Sequence, residues 1–211
     1  MVKKKSLVIT VIFLMILLLA SGGNVVLGKT NHFKAFATLE VHYDTTYPSQ
    51  IARRMVNIME ALEYVNYTGS GLYSVTNSKS DIMSYINMSG KNYGFALVSH
   101  ADSDGILRVN DDESIEPSEI SGNWHLVLTT GCSSFQNDDY ARAFKTVGYA
   151  HRASIGFTDT AYFVPTDNFW AAVESVVCST SLGNVVNYAI QQSGAPAVLY
   201  GDSSWNGYAW N

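Results

Sequence analysis

Two residues in this chain could form a nucleophile and its base. His100 ends the apolar run Tyr93-Gly94-Phe95-Ala96-Leu97-Val98-Ser99, and Cys132 ends the run Trp124-His125-Leu126-Val127-Leu128-Thr129-Thr130-Gly131. A thiol attacks only as a thiolate, and a neighbouring imidazole can take its proton or hold its charge as an ion pair. The same imidazole can then protonate a leaving amine. Cys132 is followed by Ser133-Ser134 and by the helix-capping pair Asn137-Asp138. Its backbone N–H therefore falls in a turn before a helix start, where a donor can stabilise an oxyanion. The plainer readings of the same residues are a solvated loop histidine and a core cysteine.

The surrounding pattern supplies the elements that would position this pair. Strand-like apolar runs occur at Phe33 to Tyr43, Gly69 to Val75, Tyr93 to Ser99, Trp124 to Gly131, Ala150 to Phe157 and Ala197 to Tyr200. Between them, Ile51, Met55, Ile58, Met59, Leu62 and Val65 recur at helical spacing, and shorter helices are expected at Ile82 to Ile86 and Tyr140 to Val147. Two more are expected, one capped by Thr166-Asp167 and one starting at Ser181 and stopped by Gly194 with Pro196 beyond. The stretch from His100 to Gly122 is acidic and polar and contains Pro117, and it reads as a connection. Strands alternating with helices predict an α/β fold with a mostly parallel central sheet covered on both faces. Ligands collect at the carboxyl ends of such strands, which is where His100 and Cys132 fall.

Residues 1–28 read as an export signal: Lys3, Lys4 and Lys5 precede fourteen uncharged residues from Leu7 to Ala20, and small residues follow. An uncleaved membrane anchor is the alternative, and either places the rest outside the cytoplasm. Cleavage near Gly28 leaves 183 of the 211 residues, 29–211, which suits one domain. Those residues carry ten basic against eighteen acidic side chains, a formal charge of −8, which argues against nucleic acid or an anionic membrane as partner. Two cysteines, Cys132 and Cys178, in an oxidising compartment raise a disulfide as the competing role. Their settings differ, since Cys178 follows Val173, Val176 and Val177 and reads as a buried small hydrophobe.

The segments Leu97-Val98-Ser99-His100-Ala101-Asp102-Ser103-Asp104-Gly105-Ile106-Leu107 and Leu126-Val127-Leu128-Thr129-Thr130-Gly131-Cys132-Ser133-Ser134 resemble the paired His and Cys blocks of caspase-like (clan CD) cysteine peptidases. The gingipain and clostripain type and the CHAT domains are the nearest in pattern. Tyr140 to Gly148 resembles the helix after the Cys block, and Leu199-Tyr200-Gly201-Asp202-Ser203 the closing motif of gingipain-type domains. The resemblance implies a three-layer α/β/α sandwich and a secreted cysteine endopeptidase acting through a thioester acyl-enzyme. It also implies Cys132 as nucleophile, His100 as acid and base, and the backbone N–H groups of Cys132 and Ala101 as the oxyanion hole. The partner would be a peptide or protein substrate. The chain departs from the family in two places, with Ala101 where Gly usually follows the His and Gly131 where Ala or Ser commonly precedes the Cys.

Family members that cut after Arg or Lys carry an acid in the primary pocket. Asp159, after the fifth strand, is the candidate here, and Thr130 is a second pocket candidate. No cofactor is implied, although Asp102, Asp104 and Asp111 raise a structural calcium as an alternative. Zinc is disfavoured because His32, His42, His125 and His151 are scattered. The alternative function is an exported caspase-like domain that binds a peptide or protein and cuts nothing.

Overall fold

A computed structural model describes residues 32–38, 46–63, 73–89 and 92–206. The expected export segment at 1–28 and the continuation of the first strand to Tyr43 lie outside the described residues.

Among the described residues, eight strands and five α-helices follow in chain order. They are β1 (His32–Ala37), α1 (Thr46–Glu63), β2 (Tyr73–Val75), α2 (Lys79–Ile86), β3 (Asn92–Val98), β4 (Leu107–Arg108), β5 (Ser114–Ile115), β6 (Trp124–Thr129), α3 (Asp139–Ala143), β7 (Ala153–Phe157), α4 (Phe163–Val176), α5 (Leu182–Ser193) and β8 (Ala197–Gly201). Six strands form one sheet in the order β2-β1-β3-β6-β7-β8. Every neighbouring pair is parallel except β7 and β8.

Because side chains alternate along a strand, each central strand contributes to two cores. On one face Ala35, Ala37, Ala96, Val98, Leu126, Leu128, Ile155 and Phe157 pack with α1, α4 and α5. The apolar stripe of α1, from Ile51 through Met55, Ile58 and Met59 to Leu62, is buried there. Arg54 on α1 reaches Asp167 (3.1 Å) and Glu174 (2.8 Å) on α4, tying the two helices at the core's rim. On the other face Phe36, Phe95, Leu97 and Val127 pack with α2, α3 and the β4-β5 hairpin. Gly156 is small because Phe135 crosses it: a Cβ there would lie 2.3 Å from the Phe135 ring.

Two expectations are corrected, on the stretch after His100 and on the start of α4, and one strand's direction is added to the mostly parallel sheet that was expected. The polar stretch after His100 contains the β4-β5 hairpin, whose Leu107, Val109 and Ile115 are buried. The last strand is antiparallel because two helices, α4 and α5, separate it from β7. One crossover helix returns the chain to the sheet edge where a parallel strand starts, whereas a second carries it back to the opposite edge. Helix α4 begins at Phe163, not at a Thr166 cap. Pro165 fits its first turn, where no N–H is required, and the Thr166 hydroxyl donates to the Tyr162 carbonyl at 2.7 Å.

Tyr140 of α3 holds the hairpin to the sheet. Its buried hydroxyl accepts the Leu107 N–H (3.0 Å) and donates to the Ile115 carbonyl. Burial raises the phenol's pKa, so it stays a neutral donor. Tyr140→Phe is expected to lower unfolding stability by ~1–3 kcal/mol with an unchanged urea m-value, because both buried backbone groups lose a partner. An unchanged midpoint would contradict that role.

Candidate active site

Strands β3 and β6 are parallel neighbours, with Leu97 opposite Thr129. Their chains therefore leave the sheet side by side at the carboxyl edge, one towards His100 and the other towards Cys132. Thr130 fastens the two exits. Its N–H donates to the Leu97 carbonyl (3.1 Å), its hydroxyl oxygen accepts the Ser99 N–H (3.1 Å), and the hydroxyl donates to the Ser99 carbonyl (3.3 Å). The residue before the histidine is thus bonded through both backbone groups to the residue two before the cysteine. His100 and Cys132 line one cleft with Ile51, Val98, Ser99, Thr130, Ala161, Phe163 and Thr166.

Cys132 opens a tight turn. Ser133 has φ of +55°, in the left-handed region that is unfavourable for a residue with a side chain. Several contacts hold it there: Ser133 N–H donates to the Asp159 carbonyl (3.1 Å), and Gln136 N–H donates to the Ser133 carbonyl (3.0 Å). The Ser134 hydroxyl also donates to the Gly131 carbonyl at 2.7 Å. Gly105, at φ of +80°, lies so close that a Cβ would meet the Ser133 carbonyl oxygen at 2.5 Å. The Cys132 Sγ accepts the Ala161 N–H at 3.3 Å.

The two departures from the family pattern fall in contact. Ala101 pairs with Leu107 as an isolated antiparallel bridge. The flanking bonds, from Asp102 N–H to the Ile106 carbonyl and from Arg108 N–H to the His100 carbonyl (3.0 Å each), make it a pair that exchanges no bond. Its amide therefore faces away from the hairpin partner, as an oxyanion donor must. Its φ is not positive, so alanine fits without strain. A Cβ on Gly131 would lie 3.3 Å from the Ala101 Cβ and 2.5 Å from Leu107 Cδ2. The closest neighbour of a side chain at 131 would be Leu107, with Ala101 and Ser134 next at 3.3 Å each.

The remaining candidates lie elsewhere. Asp159 is exposed; its carboxylate accepts the Thr160 N–H (2.6 Å) and its carbonyl supports the turn after Cys132, and it does not line the cleft. Asp102 closes a turn, its Oδ1 accepting the N–H groups of Asp104 and Ile106 at 2.9 Å each. Asp104 and Asp111 are exposed. Among the described residues no group of three or more His, Cys, Asp or Glu side chains is arranged to hold a metal. Both cysteines are free, and Cys178 donates its S–H to the Ala61 carbonyl at 3.2 Å. Sequence reasoning missed Ile51, Val98, Ser99, Ala161, Phe163 and Thr166 as cleft residues. Only Ser99, adjacent to the histidine in sequence, carried a signal that could have found it.

Among solved structures this fold has a counterpart: the chain has the caspase-like α/β fold. The crystal structure of the Arg-specific cysteine proteinase gingipain R superimposes with a TM-score of 0.53 over 82% of this chain at 12% sequence identity. The chain spans 46% of that protein's length, so the likeness concerns the fold alone. No protein-family model and no curated protein sequence matches.

Two outcomes test this geometry. Thr130→Val keeps the shape but leaves both Ser99 backbone groups without their hydroxyl partner. It is expected to cost ~1–3 kcal/mol in urea unfolding, with Thr130→Ser retaining most of the stability. Burial raises the Cys178 thiol above its ordinary pKa, so it is neutral near pH 7 and its alkylation accelerates only at higher pH. Peptide mapping after limiting iodoacetamide at neutral pH is expected to find label on Cys132 before Cys178.

Proposed function

We propose that the protein is an extracytoplasmic cysteine endopeptidase in which Cys132 is the nucleophile and His100 the acid and base. The observation that carries this reading is the shared cleft of His100 and Cys132 at the carboxyl edge of two paired strands. The caspase-like fold, seen in a cysteine proteinase, supports it. The leader-like sequence at 1–28 supports the location outside the cytoplasm.

In this mechanism the Cys132 thiolate attacks the scissile carbonyl and forms a C–S bond. The carbonyl oxygen takes negative charge and receives hydrogen bonds from the Cys132 and Ala101 amides. As the intermediate collapses, the C–N bond breaks and protonated His100 gives its proton to the leaving amine. A thioester remains. His100, now neutral, removes a proton from water; the hydroxide attacks the thioester, the C–S bond breaks, and the thiolate–imidazolium pair is restored. No metal is needed for any of these transfers. Before attack, the Ala161 N–H donates to the sulfur from its side of the cleft.

The test is cleavage of a mixed peptide library by the reduced mature chain. Cys132→Ala is expected to abolish turnover, and His100→Ala to lower kcat/KM by ~10²–10⁴-fold. Full activity in Cys132→Ala would refute the assignment. Inactivity of folded, reduced wild type would favour a peptide-binding domain that cuts nothing.

A further inference from the structure

We propose that Ser134 is a positioning residue for the oxyanion donor at Cys132, acting through the carbonyl of Gly131. This inference rests on the peptidase reading above. The Gly131 carbonyl and the Cys132 N–H belong to one planar, trans peptide unit, in which the two groups point in opposite directions. Whatever holds the carbonyl therefore aims the N–H.

Ser134 holds that carbonyl twice. Its hydroxyl donates to the Gly131 oxygen at 2.7 Å, and its N–H donates to the same oxygen at 3.3 Å. The second bond closes a four-residue turn whose two central residues are Cys132 and Ser133. A hydroxyl has one proton, and that of Ser134 is committed to Gly131. In the 3.4 Å contact between the Ser134 and Thr129 hydroxyls, Thr129 is therefore the donor. Both side chains are buried, which shields the bonds from competing water. A chain of donors thus runs from the last residue of β6 to the peptide that precedes the nucleophile.

Position 131 is where such a hold matters. Rotation about ψ of residue 131 swings the 131–132 peptide plane, and glycine lacks the Cβ that narrows that rotation. A Cβ there would lie 2.5 Å from Leu107 Cδ2, so packing against the hairpin keeps the residue a glycine. The Ser134 hydroxyl supplies the restraint in its stead. Among the described residues no carbonyl accepts the Cys132 N–H or the Ala101 N–H, which leaves both for a developing oxyanion. Ser134 does not line the cleft, so its effect reaches the substrate only through the peptide it holds.

The experiment compares wild type, Ser134→Ala and Ser134→Thr as reduced, mature chains, each shown to be folded by circular dichroism, on a peptide that wild type cleaves through Cys132. Ser134→Ala is expected to lower kcat ~10–10²-fold with KM within about twofold of wild type, because the donor is loosened and not removed. Ser134→Thr keeps the hydroxyl and is expected to recover most of kcat. A second readout is alkylation of Cys132 by iodoacetamide, in which sulfur displaces iodide from a saturated carbon and no oxyanion forms. Its rate in Ser134→Ala is expected to stay within about twofold of wild type. A merely structural loss would slow both reactions together. Unchanged kcat in Ser134→Ala, a Ser134→Thr variant no more active than Ser134→Ala, or an equal fall in kcat and alkylation would overturn the positioning role and leave the peptidase reading intact. Absence of Cys132-dependent cleavage of every library peptide by folded, reduced wild type would overturn the peptidase reading and this inference with it.

Discussion

The site depends on the parallel pairing of β3 with β6. A parallel ladder fixes which residues leave the sheet at the same level, so the register of Leu97 opposite Thr129 sets where His100 and Cys132 emerge. A slip of one residue would turn every side chain of β6 to the other core. That slip is opposed on both faces, since Leu126 and Leu128 belong to one buried cluster and Val127 to the other. Thr130 extends the register past the ladder's end, where backbone pairing alone would fray.

Beyond the strands, Cys132 is held by loops that brace one another. The left-handed Ser133 is unfavourable alone, and it persists because the carbonyl of Asp159 and the backbone at Gly105 close on it from two sides. The loop after β7 therefore serves twice, with Asp159 supporting the turn and Ala161 donating to the sulfur. The Ala101 and Gly131 positions belong to the same economy of space. A Cβ at 131 would meet Leu107 first and Ala101 and Ser134 next.

Much of this was legible in the sequence because it follows from periodicity. Continuous apolar runs ending at Ser99 and Gly131 marked buried parallel strands, and the stripe from Ile51 to Leu62 marked a helix with one buried face. The hairpin was not legible, because strands of two residues have no period to detect. The antiparallel β8 follows from the two helices between it and β7, which return the chain to the opposite sheet edge. Asp159 shows a different limit. Its position after a strand end was readable, yet a short loop directs its carboxylate to Thr160 and its carbonyl to Ser133, and neither bond has a sequence pattern. The Ser99 hydroxyl, buried without a partner, likewise exists only in three dimensions.

The central claim is that the paired strand ends assemble a working thiol nucleophile. Acid-quench mass spectrometry of the mature chain mixed with a peptide ester tests it most directly, because a thioester survives acid and can be mapped to one cysteine. The account predicts an added acyl mass on Cys132 that forms within the first turnover and forms much more slowly in His100→Ala. Acylation confined to Cys178, or no acyl mass on folded, reduced protein, would contradict it.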